Sequence, residues 1–199
     1  MQDSTKKLFP IFVKDDFFTP EEEQTIWEGL DTLHQLNLFT DPSKTAAARD
    51  LEGNILKQNK GCFLDKLCNL NIEIRNLHST VQKVFQSAAA EYASLDFWTY
   101  PIVETSRNGT LVSYYENEDH YLEHRDKCFF TVLIWFYRKP KAFKGGNLFL
   151  HDLNEEIEVK HNRLTIIPSQ ALHSVSAVKL PKKYLGKRKG RYCISMFLS

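Results

Sequence analysis

The chain of 199 residues has little net charge, few cysteines and no long apolar run. Its 26 Lys and Arg residues balance 25 Asp and Glu residues, so the net charge of +1 gives no general reason to expect nucleic acid or a membrane surface as a partner. The longest apolar run, residues 128–137, is too short to span a bilayer, and the N-terminus has no apolar secretory segment. We therefore expect a soluble protein with one domain over residues 1–199.

The spacing of the four cysteines does not suggest a disulfide framework. Cys62, Cys68, Cys128 and Cys193 include no Cys-x-x-Cys pair, and two of them lie in apolar strand patterns. This favours reduced core thiols and a cytoplasmic location. A zinc half-site or a redox pair of Cys62 and Cys68 is the alternative, although no second His/Cys pair lies nearby.

Helices are predicted in the N-terminal half of the chain, over about residues 19–95. Thr19 as N-cap, Pro20 at the first helical position and Glu22 completing a capping box predict a helix that runs to about Leu36. Apolar residues at three-four spacing predict a second, longer helix over about residues 69–95. Residues 38–61 keep no sustained period, so this connection is a candidate lid or substrate surface.

Short strand-like runs alternate with turn residues after residue 101. Eight runs without intervening helices indicate a jelly roll or a similar two-sheet barrel. The runs cover residues 110–115, 121–126, 129–137, 147–151, 156–159, 163–167, 172–178 and 191–198. The predicted fold class is α+β, with a β core at about residues 110–199 and the N-terminal helices packed on one sheet.

Candidate metal ligands lie in two of these runs. His124 and Asp126 are two residues apart, and residues i and i+2 of a strand face the same side, so both would point into one pocket. His173 lies downstream, ahead of the terminal strand that Arg191 opens. Two imidazoles and one carboxylate are the facial triad of non-haem Fe(II) oxygenases. The pattern predicts an iron site of His124, Asp126 and His173.

From about residue 111 to 199 the sequence resembles the prolyl hydroxylase-like branch of the Fe(II)/2-oxoglutarate-dependent dioxygenases. His124-Arg125-Asp126 matches the His-x-Asp motif of that family, and His173 in His-Ser-Val-Ser-Ala-Val matches its distal histidine. Residues 145–148 match its Gly-Gly-x-Leu turn, and Arg191 matches the arginine that opens its last core strand. The resemblance implies a double-stranded β-helix core of the jelly-roll or cupin-like type. It also implies Fe(II), 2-oxoglutarate and O2, with ascorbate as a candidate reductant.

The same resemblance places the 2-oxoglutarate site. Arg191 offers a planar fork that suits a carboxylate, and Ser195, four residues on, shares its strand face and could add a hydroxyl donor. Tyr114 lies ten residues before His124, where relatives place a tyrosine that hydrogen-bonds the co-substrate. A packed strand aromatic is the other interpretation of Tyr114, and the adjacent Tyr115 offers the alternative register.

A further strand face is expected to line the floor of the pocket. Thr131, Leu133 and Trp135 alternate along one side of the run at 129–137. Many relatives carry a tyrosine where Trp135 falls, so Thr131 is the other candidate for a co-substrate contact. The remaining histidines are predicted to be solvated or supporting residues.

A basic loop over residues 179–190 lengthens the connection before Arg191. It holds six cations, and we expect it near the mouth of the barrel. A solvated turn and a docking surface for an acidic substrate are equally compatible with it.

The resemblance implies hydroxylation of an unactivated C–H bond with release of succinate and CO2. The substrate it implies is a prolyl or other amino-acid residue of a peptide or protein, or a free amino acid. A nucleic-acid-directed oxidative demethylase of the same fold is disfavoured because those relatives carry a second arginine where Phe197 stands. A non-catalytic cupin-like metal-binding module would not need Arg191 in register with the triad.

Overall fold

The computed structural model describes residues 8–105 and 108–199. The helices are α1 (Pro20–Gln35), α2 (Ile72–Val81), α3 (Lys83–Gln86) and α4 (Ala88–Ala93). The strands are β1 (Phe12–Lys14), β2 (Lys57–Gln58), β3 (Lys60–Phe63), β4 (Asn108–Tyr115), β5 (His120–His124), β6 (Phe130–Phe136), β7 (Leu148–Leu150), β8 (Glu155–Ile157), β9 (Arg163–Pro168), β10 (His173–Val175) and β11 (Arg191–Leu198).

The strands form two antiparallel sheets. The major sheet has six strands in the order β1-β9-β6-β11-β4-β3, and the minor sheet has five in the order β2-β5-β10-β7-β8. All eight predicted strand-like runs form strands. The predicted double-stranded β-helix with helices on one sheet is confirmed.

Strand β6 shows why the major sheet is buried on both faces. Its even-numbered residues, such as Val132 and Ile134, pack in a core with Ile26 of α1 and Leu77 of α2. Its odd-numbered residues Leu133 and Trp135 pack in a second core, which it shares with β7 and β10 of the minor sheet. An uninterrupted apolar strand therefore separates the helical layer from the space between the sheets.

Helix α1 begins as the sequence predicts. The Thr19 side chain accepts a hydrogen bond from the Glu22 backbone, and the Glu22 carboxylate accepts one from the Thr19 backbone. Leu36 caps the other end. The helix has 16 residues, and no helix in the described ranges is long and apolar enough to cross a membrane.

The single helix predicted over residues 69–95 is wrong, because this segment forms three shorter helices. α2 ends before Gln82, and Ser87, with φ −136° and ψ −68°, separates α3 from α4. Val84 and Tyr92 nevertheless stay fully buried on the same side of the segment. The spacing of apolar residues shows which side of the segment is buried. It does not detect a break in the helix when the same side stays buried beyond the break.

The connection over residues 38–61 contains two strands that the aperiodic sequence did not predict. β2 joins the edge of the minor sheet, with Lys57 opposite Tyr121, and β3 joins the edge of the major sheet, with Gly61 opposite Ser113. Only Asn59 separates the two strands. The chain thus crosses from one sheet to the other at this point, and it carries Lys57 into the space between them.

Candidate active site

The predicted metal triad is assembled at one end of the space between the sheets. His124 ends β5 and lies directly opposite His173, which begins β10. Asp126 follows β5 outside the strand, where its backbone N–H donates to the Ser169 carbonyl. The ligand atoms of the three side chains lie within 4.8 Å of one another, a spacing that suits one shared metal ion.

Both imidazoles of the triad are held in the form that binds a metal. The Nδ1–H of His124 donates to the Leu122 carbonyl at 2.7 Å, and that of His173 donates to the Ala171 carbonyl at 2.8 Å. Each Nε2 is left as the lone-pair donor and faces Asp126. Burial first, and then the nearby His173, lower the pKa of His124 to about 3, so its ring is neutral at physiological pH.

Thr131 positions the carboxylate of the triad. Its hydroxyl donates to Oδ2 of Asp126 at 2.7 Å and lies 2.8 Å from the Ser169 hydroxyl. Thr131 is buried and does not line the cavity described below. The sequence offered Thr131 as a co-substrate contact, whereas the structure places it behind Asp126, because Asp126 leaves the strand and turns towards β6.

A narrow cavity of about 40 Å³ extends from the triad to Arg191. Arg191 is 1% exposed, and its guanidinium lies 4.7 Å from the centre of the Tyr115 ring. Its Nε and Nη1 are buried and find no hydrogen-bond partner within the described part of the chain. Ser195 lines the same cavity, as the shared strand face predicts.

Trp135 lies under the guanidinium rather than on the cavity wall. Its ring centre is 5.8 Å from Arg191, it is fully buried, and its indole N–H has no partner among the described residues. The donors left open on Arg191 and Trp135 are suited to a carboxylate, which accepts through two oxygens.

Tyr115 and not Tyr114 lines the cavity, so the choice of Tyr114 requires correction. Tyr114 faces the helices, where its ring packs against His34 and Tyr192 and its hydroxyl donates to Glu116. Tyr115 pairs with Arg191 across the β4–β11 ladder and lines the cavity. The number of residues between Tyr114 and the His-x-Asp motif includes the turn after β4. Because that turn is irregular, the number does not determine which face of the strand each tyrosine occupies.

Residues 110–199 match the 2OG-Fe(II) oxygenase superfamily. We refer to these residues as the oxygenase domain, after the family that they match. Its family uses Fe(II), 2-oxoglutarate and O2, which confirms the expected cofactors and the class of 2-oxoglutarate-dependent dioxygenase. A search of curated protein sequences found no match.

Solved structures show the same fold at low sequence identity. A prolyl hydroxylase from Trichoplax adhaerens, in complex with a peptide fragment of the hypoxia inducible factor oxygen degradation domain, aligns with a TM-score of 0.65 and 14% identity over 94% of this chain and 82% of that one. A Pseudomonas putida prolyl-4-hydroxylase aligns with a TM-score of 0.56 and 10% identity over 94% of this chain and 91% of that one. OsALKBH1 aligns with a TM-score of 0.54 and 13% identity over 96% of this chain and 100% of that one.

The oxygenase domain has a donor set that fits its family's metal and co-substrate. Two imidazoles and one carboxylate would leave coordination positions open on Fe(II). At the far end of the cavity, the open donors of Arg191 fit an anionic group. The triad and this guanidinium lie along the same cavity.

Lys57 is a residue of the site that the sequence analysis missed. Lys57 lines the cavity, donates to the Ser113 hydroxyl at 3.1 Å, and lies 5.0 Å from the centre of the Tyr121 ring. Tyr121 in turn stacks on His124 with the ring centres 3.5 Å apart. Burial lowers the pKa of Lys57 to about 8. No sequence signal marks Lys57, because it lies in the aperiodic connection.

A second, open groove of about 780 Å³ reaches the metal site of the oxygenase domain from outside. Residues 45–49 and 56–57 line one side, and residues 123–128 line the other. His124 and Asp126 border this groove, whereas Arg191 does not. The groove therefore gives a substrate access to the triad without passing the guanidinium.

The basic loop lies away from both of these cavities, so its expected place near the mouth of the barrel is wrong. Residues 179–190 are all described and line neither cavity. Lys179 instead forms an ion pair with Glu118, and Gly186 donates to Glu116. The loop leads directly into Arg191 at the start of β11, and Ser199, which lines the groove, lies at the other end of that strand.

Proposed function

We propose that the oxygenase domain hydroxylates a C–H bond of an amino-acid residue, prolyl first among the candidates, within a peptide or protein segment. The observation that carries this proposal is the open groove beside His124 and Asp126, with its volume of about 780 Å³. Binding sites for drug-sized ligands have volumes of about 300–1,000 Å³, so a groove of this size has room for more than a free amino acid.

Each residue of the site has a separate task in this proposal. His124, Asp126 and His173 would hold Fe(II), which supplies the activation of O2 when bound. Arg191, which is buried, would grip the distal carboxylate of 2-oxoglutarate in the narrow cavity. The balance is one oxygen atom from O2 to the substrate carbon and the other to succinate, with release of CO2.

The groove walls support a polypeptide substrate. Phe63, Leu111 and Phe197 give the groove an apolar lining. Its charged lining is mainly basic, with Arg49, Lys57, Arg125 and Lys127 against Glu123 and the metal ligand Asp126. The apolar lining suits a segment that is held by side-chain contacts. The similarity to a prolyl hydroxylase bound to a peptide agrees with this choice, although at 14% identity it shows the fold alone.

Incubation of the protein with Fe(II), 2-oxoglutarate and arrays of proline-containing peptides tests the proposal. We expect succinate release above the peptide-free level and a mass gain of one oxygen atom on a peptide. His124→Ala should abolish metal binding, and Arg191→Met should weaken 2-oxoglutarate binding. Arg75→Met, which changes an exposed arginine on α2, should do neither. Oxidation of a methylated oligonucleotide, with no peptide modified, would contradict the proposal.

A further inference from the structure

Lys57 is a buried cation that lacks an anionic partner. It is 8% exposed, and its Nζ donates to the Ser113 hydroxyl. Among the described residues, no carboxylate forms an ion pair with it. An ammonium carries three donors, and a buried charge without a counter-ion is costly. The position is therefore suited to an anion that the chain itself does not provide.

Two aromatic rings place Lys57 between the metal ligands and Arg191. The Lys57 Nζ lies 5.9 Å from the centre of the Tyr115 ring, and Arg191 lies 4.7 Å from the same centre. On the other side, Nζ lies 5.0 Å from the Tyr121 ring, which stacks on His124. One ammonium thus lies close to both ends of the narrow cavity.

The lining of the two cavities places Lys57 nearer to the metal end than Arg191 is. Lys57 lines both the narrow cavity and the open groove, whereas Arg191 lines only the cavity. The two cations therefore occupy different positions along the cavity.

Resting on the proposed function, we propose that Lys57 binds the end of 2-oxoglutarate that carries the oxo group and faces the metal, while Arg191 binds the distal carboxylate. Two buried cations match the two carboxylates of this co-substrate. Lys57 comes from β2, outside the matched residues 110–199, so this contact is supplied by the N-terminal part of the chain. A purely structural lysine, held by Ser113 and the tyrosine rings, would leave the affinity for 2-oxo acids unchanged.

Calorimetric titration of the Mn(II)-loaded protein with two acids tests this assignment. The acids are 2-oxoglutarate and 2-oxopentanoate, which has the same carbon chain but a methyl group in place of the distal carboxylate. Lys57→Met should lower the affinity for both acids by a similar factor, about tenfold or more, because a charged hydrogen bond is lost in each complex. Arg191→Met should weaken 2-oxoglutarate alone. Lys60→Met, the same change at an exposed position on β3, should alter neither.

The outcomes distinguish this inference from the proposed function. If Lys57→Met leaves 2-oxoglutarate affinity within twofold of wild type, or weakens 2-oxoglutarate alone, the assignment of Lys57 is overturned and the proposed function stands. If the wild-type protein binds neither acid, both are overturned. Thermal unfolding and Mn(II) affinity check that each variant is folded. Lys57→Gln, which keeps a polar group, gives the same decision if the Met variant does not fold.

Discussion

Thr131 donates a 2.7 Å hydrogen bond to the Asp126 carboxylate and thereby fixes the direction of the only anionic group in the triad. Thr131→Val keeps the shape of the side chain and removes this donor. We expect Mn(II) affinity to fall by about tenfold to a hundredfold, as is typical when a group that orients a metal ligand is lost. Titration of the metal-free protein with Mn(II) measures the change.

The chain offers a matched control for this substitution. Thr165 is fully buried in the neighbouring strand β9, and its hydroxyl has no hydrogen-bond partner among the described residues. Thr165→Val should therefore leave metal affinity unchanged. Equal Mn(II) affinities for the Thr131 variant and wild type would show that Asp126 does not depend on this bond.

Gly146 leaves space for the Arg191 side chain. Its φ is +71°, and a Cβ at this position would lie 2.8 Å from Cδ of Arg191 and 3.0 Å from Val178. Gly146→Ala should displace the guanidinium and weaken 2-oxoglutarate binding about tenfold or more, measured by calorimetry with Mn(II) present. Gly186→Ala, at φ +69° with nothing within 4 Å, carries the backbone strain alone and should leave that affinity unchanged.

Tyr115 and Tyr114 allow one substitution to be compared on two faces of a strand. Tyr115→Leu removes the ring that lies on Arg191, so 2-oxoglutarate affinity should fall by about twofold to thirtyfold, the range of a buried cation–π contact. Tyr114→Leu should lower the melting temperature through lost packing against His34 and leave affinity unchanged. A larger affinity loss at Tyr114 would restore the register expected from the spacing.

His34 gives stability a specific pH dependence. Burial first, and then the charge of Arg188, lower its pKa to about 4, below the ordinary value of 6.5. The stability due to the neutral ring is complete above pH 6.5 and is lost as the pH falls towards 4, since only the unfolded chain takes up the proton in this window. The loss is at most about 1.4 kcal/mol per pH unit, and a partly exposed ring gives less.

Urea unfolding between pH 7 and pH 4.5 checks this expectation. The free energy of unfolding should fall less steeply with decreasing pH for His34→Gln than for wild type. Tyr192→Phe removes the 2.8 Å hydrogen bond to His34 but keeps the titrating ring, so it should retain the wild-type slope. Identical slopes for His34→Gln and wild type would refute the assignment.

Asn162 attaches the N-terminal segment to the barrel. Its side chain accepts from the Phe18 N–H and donates to the Phe18 carbonyl and to Glu23, while its backbone has φ +57°. Asn162→Ala should lower the free energy of unfolding by about 2–4 kcal/mol, because buried backbone groups lose their partners. Asn154→Ala changes an exposed residue at φ +50° and should cost only about 1 kcal/mol. Equal losses of unfolding free energy in the two variants would mean that backbone strain alone determines the effect of each substitution.

The sequence was most informative where function and local periodicity coincide. His124, Asp126, His173 and Arg191 were located by motif order, and the eight strand runs by alternation and turn residues. Tyr114 was preferred to Tyr115 because a one-residue change of register in a turn leaves no trace in composition. Lys57 was missed because its position depends on the pairing of β2 with β5, a non-local contact that two residues of strand cannot signal.

Tyr121 connects the wall of the open groove to the metal ligand His124. The Ala48 N–H on the groove wall donates to the Tyr121 hydroxyl at 2.8 Å, and the same ring lies flat on the imidazole. Any segment that displaces this wall therefore acts on a metal ligand through a single rigid ring.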